Sequence, residues 1–141
     1  MRKRSQAREI ALQTLYELDV RGEEATHEIE TIIAEIIKDP EIREFSKDLV
    51  VGTWEHRAEV DKHIEEVARN WEISRMAIVD RNVLRLATYE LIFRDDIPPL
   101  VSINEAIEIV KKFSTRNSGA FVNGILDNIR IRWAPPSKQN K

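Results

Sequence analysis

The stretch ISRMAIVDRNVLRLATYELIF, residues 73–93, decides the fold. Wound on a 3.6-residue spiral, Ala77, Ile78, Val79, Val83, Leu84, Leu86, Ala87, Leu91 and Ile92 leave almost no wet stripe, so a helix here must be enclosed by other elements. Ser74 is placed to cap it, and Ile73 and Ile78 hold the two positions of a hydrophobic staple. Asp95-Asp96-Ile97-Pro98-Pro99 then stops it in a loop. The neighbouring segments supply the amphipathic cover that a buried helix requires. Downstream, Ser102 and Glu105 form a capping box for a helix bearing Ala106, Ile107, Val110 and Phe113. After a polar turn at 115–119, the last helix carries Phe121, Val122, Ile125, Leu126 and Ile129. Upstream, Ala7, Ile10, Ala11, Leu15 and Leu18 form one stripe that ends at Gly22, and Ile29, Ile32, Ile33, Ile36 and Ile37 form a second. Asp39-Pro40 reads as an N-cap with proline at the first helical position. The helix it opens presents Ile42, Phe45 and Leu49, with Gly52 allowing close packing. After a break near 56–60, Val60, Ile64, Val67 and Trp71 continue on a new helix. Nothing alternates with the period of a half-buried strand. The reading is an all-α bundle of about seven helices, one domain over 1–141, with 1–5 and 134–141 as mobile basic tails.

Composition narrows the function. Of 141 residues, 42% are hydrophobic and 33% charged, which fits a globular chain with a real core. The net charge of −3 requires any nucleic-acid contact to come from a local patch. Without cysteine there are no disulfides, thiol nucleophiles or thiolate zinc sites, which suits a reducing, cytoplasmic location. No apolar run approaches the roughly 20 residues of a membrane span, and no apolar signal segment follows the charged start. Gly22, Gly52, Gly119 and Gly124 form neither a phosphate loop nor a dinucleotide fingerprint. His27, His56 and His63 are scattered, so neither a metal, a cofactor nor an enzyme is expected. Glu23, Glu24, Glu28, Glu30 and Glu35 read as the wet face of the isoleucine-striped helix, or as a face for a basic protein.

Two segments point to nucleic acid. Residues 1–16, MRKRSQAREIALQTLY, place Arg2, Lys3, Arg4 and Arg8 where the helix end is already positive. That repulsion is relieved by a phosphate between them; the plain alternative is a solvated, mobile terminus. On the first reading these four side chains serve RNA and leave the fold unaffected. Near the other end, Arg116, Asn117 and Ser118 sit in a polar turn that opens a helix, Lys111 and Lys112 lie one turn back, and Phe121 follows in the first turn. Cations, helix amides and an aromatic ring are the parts of a single-stranded nucleic-acid site. Phe121 equally suits the core on the Val122/Ile125 side.

The segments RSQAREIALQTLY (4–16), VDRNVLRLATYEL (79–91), INEAIEIVK (103–111) and FVNGILD (121–127) together resemble the NusB family of bacterial transcription antitermination factors, in order over nearly the whole chain. The resemblance implies two packed helical bundles and a non-enzymatic role. It implies binding of boxA RNA together with NusE, a small-subunit ribosomal protein, within an RNA polymerase complex that reads through terminators, notably in ribosomal RNA operons. It carries RNA contact over to Arg2, Lys3, Arg4 and Arg8 and to the turn of Arg116, Asn117, Ser118 and Phe121, beside Lys112. Tyr16 and Asp80 match the NusE-facing surface. Ala120 departs from the lysine usual before Phe-Val-Asn-Gly, and Asn117 stands where an acid is common. Whether the free chain forms a homodimer stays open. Two other readings stand beside this one: a helical adaptor without RNA, and the similar N-terminal module of RNA cytosine methyltransferases, which need a separate cofactor domain that a chain ending at Lys141 has no room for.

Overall fold

The computed structural model describes residues 2–115 and 117–139, the side chains of 137 and 139 excepted. Seven helices of eight residues or more follow one another: α1 Lys3–Arg21, α2 Ile29–Ile36, α3 Pro40–Glu55, α4 Arg57–Val67, α5 Ile78–Phe93, α6 Pro99–Phe113 and α7 Ser118–Trp133. A single turn, α8 Pro136–Gln139, closes the described chain, and 3-10 turns occupy Glu23–Glu28 and Ile73–Arg75. Helices α1–α3 pack as one bundle and α4–α7 as a second, and α5 touches helices of both. The all-α reading and the two bundles therefore hold.

Several boundaries follow directly from side-chain chemistry. Gly22 ends α1 at φ +93°, where its N–H donates to the Leu18 carbonyl, a conformation that favours glycine. Asp39 caps α3 by accepting from the Glu41 and Ile42 N–H groups, with Pro40 following it. At Gly52 a Cβ would overlap the Cζ and Oη of Tyr89, so glycine is what lets α3 lie against α5.

Other boundaries depart from expectation. Ser74 is not a cap: it sits in the 3-10 turn, and α5 begins at Ile78 after Ala77, without a side-chain cap. Helix α6 starts one turn earlier than the capping box, at Pro99, because proline needs no N–H partner in a first turn. Ser102 then lies inside the helix and donates to Glu90. Helix α2 stops at Ile36, which leaves that side chain 41% exposed. Helix α4 stops at Val67, so Trp71 leaves the apolar stripe and is 56% exposed.

The tails also differ from the sequence reading. Residues 3–5 form the first turn of α1. Ala134 is buried, and the Lys138 ammonium donates to the carbonyls of Glu90, Leu91 and Arg94 at 2.8, 3.1 and 2.7 Å. These carbonyls cluster at the C-terminal end of α5, where that of Glu90 also accepts from the Arg94 N–H. Burial pushes Lys138 below the ordinary lysine pKa, against the pull of the Glu90, Asp95 and Asp96 carboxylates.

The central helix is buried but not wholly apolar. Asp80, Asn82, Arg85, Thr88 and Glu90 are buried along it. Asp19 of α1 accepts from Arg81, Asn82 and Arg85, and Arg85 reaches on to Asp61 of α4 at 2.8 Å. This network ties α5 to both α1 and α4.

Candidate nucleic-acid interface

The first turn of α1 presents three exposed cations. Arg2 occupies the cap position and makes no side-chain capping bond. Lys3 lies 3.1 Å from Glu41 and 3.2 Å from Asp39, and those hydrogen bonds, Glu41's first, raise its pKa. The Arg4 guanidinium stands 4.4 Å over the Phe45 ring, its charge held against the aromatic face.

Arg8 belongs elsewhere. It is 2% exposed and grips Glu90 through Nε and Nη2 at 2.9–3.2 Å, with Glu105 3.5 Å away. Its charge is spent inside the protein, joining α1 to α5 and α6, so it is not a surface contact. Helical rotation explains the change, because Arg8 falls in register with buried Ala11, Leu12 and Leu15.

Two further rungs hold α1 beside α6: Ser5 donates to Glu105, and Lys112 meets Glu9 at 3.0 Å. They lead from the basic start of α1 to the α6–α7 turn. Lys112 keeps half its side chain in solvent despite that pair. Arg116 lies outside the described residues. Asn117 is exposed at the cap of α7 and makes no side-chain capping bond, while the Ser118 N–H donates to the Thr115 carbonyl at 3.2 Å.

Ser118 and Asp80 form the floor rather than the surface. Ser118 is buried, and its hydroxyl donates to Asp80 at 2.9 Å while meeting Ser114 and Thr115 at 3.0 Å. Asp80 is 8% exposed and also accepts from Ser114 at 2.6 Å. The carboxylate thereby fastens the α6–α7 turn to the start of α5. Its sequence assignment to a partner-facing surface gives way to this internal task.

Above that floor opens a cleft of about 370 Å³ between Trp71, Met76, Asn117 and Phe121. Phe121 is half-buried: it packs against the core and meets the Trp71 ring edge-on at 5.6 Å. Its packing meets the core reading in part, and the rest of the ring faces the cleft. Trp71 and Arg75, at the rim, were not singled out from sequence for this site. The spacing placed Trp71 on a core stripe, and neither glycine nor proline announces the end of α4. Tyr16 is 42% exposed and lines a separate groove between α1 and α2 with Val20, Ile32 and Ile36. Among the described residues, no group of three or more His, Asp or Glu is placed to hold a metal ion. Among the same residues, no helix is long and apolar enough to cross a membrane.

Two helical bundles around a shared central helix place the chain among the all-α, two-bundle proteins. A family model described as the NusB family matches residues 5–130, and the chain belongs to that family of transcription antitermination factors. It is similar to the transcription antitermination protein NusB of Desulforapulum autotrophicum, 49% identical over 134 residues covering 93% of each chain. It is also similar to that of Geobacter sulfurreducens, 50% identical over 132 residues covering 92% of this chain and 94% of the relative. Among solved structures, T. maritima NusB aligns at a TM-score of 0.87 and 40% identity, over 98% of this chain and 97% of that one. A chain from the crystal structure of antitermination factors NusB and NusE in complex with dsRNA aligns at 0.84 and 35%, over 94% and 99%.

Proposed function

We propose that this antitermination factor binds boxA RNA jointly with NusE in the cytoplasm. There it joins an RNA polymerase complex that reads through terminators, notably in ribosomal RNA operons, and performs no catalysis. The observation that carries the reading is the pairing of two surface parts: exposed Arg2, Lys3 and Arg4 at the start of α1, and the Phe121 cleft beside Asn117, with half-exposed Lys112 held to α1 by Glu9. The cations neutralise phosphates, while the aromatic end accepts bases. Arg116 joins these parts on the family resemblance alone. Asn117 puts no negative charge at the α7 start, and exposed Ala120 offers no cation there, so more of the phosphate contact falls to the α1 end.

A chain of net charge −3 offers RNA only a short basic track, and a second protein would lengthen it. Tyr16, in the apolar α1–α2 groove, is the residue assigned to NusE; Asp80 supports the RNA turn from beneath. A gel shift with this chain, NusE and a short boxA RNA tests the reading. The expected outcome is a complex that forms with boxA and not with a scrambled RNA, and more tightly with NusE present. Binding of NusE without any boxA dependence would favour the helical adaptor instead.

A further inference from the structure

We propose that Trp71 is a second base-binding wall of the cleft, which with Phe121 forms a corner that receives one unpaired RNA base. The inference rests on the RNA reading above and extends it to a residue outside the α1 and α6–α7 segments.

Trp71 differs from the other two tryptophans. The Arg57 guanidinium lies 3.8 Å over Trp54, and Trp133 sits between His63 at 4.4 Å and Arg132 at 4.5 Å. Trp71 is more than half exposed, and its ring is met by Phe121 edge-on. A large indole left in solvent is costly unless something covers it. The backbone that carries it is anchored: α4 ends at Val67, and the Trp71 main-chain N–H donates to the Ala68 carbonyl at 2.9 Å.

The geometry selects the ligand. The two ring planes stand at 71°, so a flat group lying on one ring meets the other edge-on. That corner suits a single splayed-out base and excludes a stacked pair. At its floor the Asp80 carboxylate repels phosphate, yet it keeps lone pairs for a base N–H beyond the two hydroxyls it already accepts. At its rim Arg75 is four-fifths exposed and only loosely paired with Glu72 at 3.7 Å, which leaves a guanidinium for the flanking phosphate. The base therefore points inward and the backbone outward. Duplex RNA keeps its bases paired and cannot fill the corner.

The test titrates the full chain, with NusE, against single-stranded boxA RNA and against the same RNA annealed to its complement. Trp71→Ala is expected to weaken single-strand binding about tenfold, within the range for loss of one stacked base. The salt slope and the duplex affinity should not change, and Trp71→Phe should recover most of the loss. Single-stranded RNA should also quench wild-type tryptophan fluorescence, and Trp71→Phe, which retains Trp54 and Trp133, should lose that quench. Wild-type affinity in Trp71→Ala, or equal losses on both RNAs, would overturn the base corner while leaving the RNA reading intact. A wild-type chain that binds no single-stranded boxA RNA would overturn both.

Discussion

Truncating Arg8 to alanine strips a buried carboxylate of its cation, and the consequence should appear in folding rather than in RNA binding. Glu90 is 1% exposed and now accepts from Arg8 Nε and Nη2 and from Ser102 Oγ at 2.8 Å. Arg8→Ala leaves the serine hydroxyl but removes the charge partner. Breaking a buried pair by removing one member costs about 3–5 kcal/mol, a large part of the roughly 5–15 kcal/mol that holds a domain together. Replacing both members by apolar residues, Arg8→Met with Glu90→Leu, removes the charge imbalance and should be much milder than either single change. Urea melts of wild type, both single variants and the double variant measure the terms, with salt titrations of RNA binding in parallel. An Arg8→Ala protein within about 0.5 kcal/mol of wild type, the range of an ordinary surface change, would refute the buried-pair reasoning. A simultaneous drop in its salt slope would return Arg8 to the RNA surface.

Replacing Arg2, Lys3 and Arg4 together by alanine should do the opposite. Each lost phosphate contact flattens the slope of log affinity against log salt by about 0.7, and urea melts should scarcely move. Gly52→Ala should cost about 1–3 kcal/mol by overpacking, because its Cβ would overlap Tyr89; Tyr89→Leu in the same chain should recover part of that loss in a urea melt. Burial alone would raise the Asp19 pKa, but hydrogen bonds from Arg81 and Asn82 and the charges of Arg85 and Arg81 outweigh it and hold Asp19 below 3.8. A depressed folded-state value stabilises the fold above the unfolded value and is lost as pH falls through the folded one, so stability should decline below about pH 4. Asp19→Asn should flatten that acid limb in melts taken across the window.

The elements legible in sequence were those with a local cause. Asp39-Pro40 specifies a helix start through its own side chain and ring, Gly22 a helix end through its φ, and Gly52 a close approach through its missing Cβ. Misread features depended on distant partners. Ser102 and Glu105 have the spacing of a capping box, yet Ser102 answers to Glu90 and Glu105 to Ser5 and Arg8. Arg8 looked like one more member of a basic cluster, and the contrary signal was its register with Ala11, Leu12 and Leu15. Glu90, with Asp80 one of two acids in the helix that had to be buried, asked for a cationic partner from the other side. Asp80 and Ser118 lie 38 residues apart, and their pairing exists only once α5 meets the α6–α7 turn. Trp71 kept the helical spacing of its stripe after the helix itself had ended.

Photo-cross-linking of 4-thiouridine-substituted boxA RNA to the chain in the presence of NusE, with the linked peptides mapped by mass spectrometry, tests the RNA face most directly. Cross-links are expected in the first turn of α1 and around Trp71 and Phe121, lost when excess unlabelled boxA RNA competes. Cross-links confined to other exposed surfaces, such as those around Leu100 or Ile131, or none above a scrambled RNA, would contradict it.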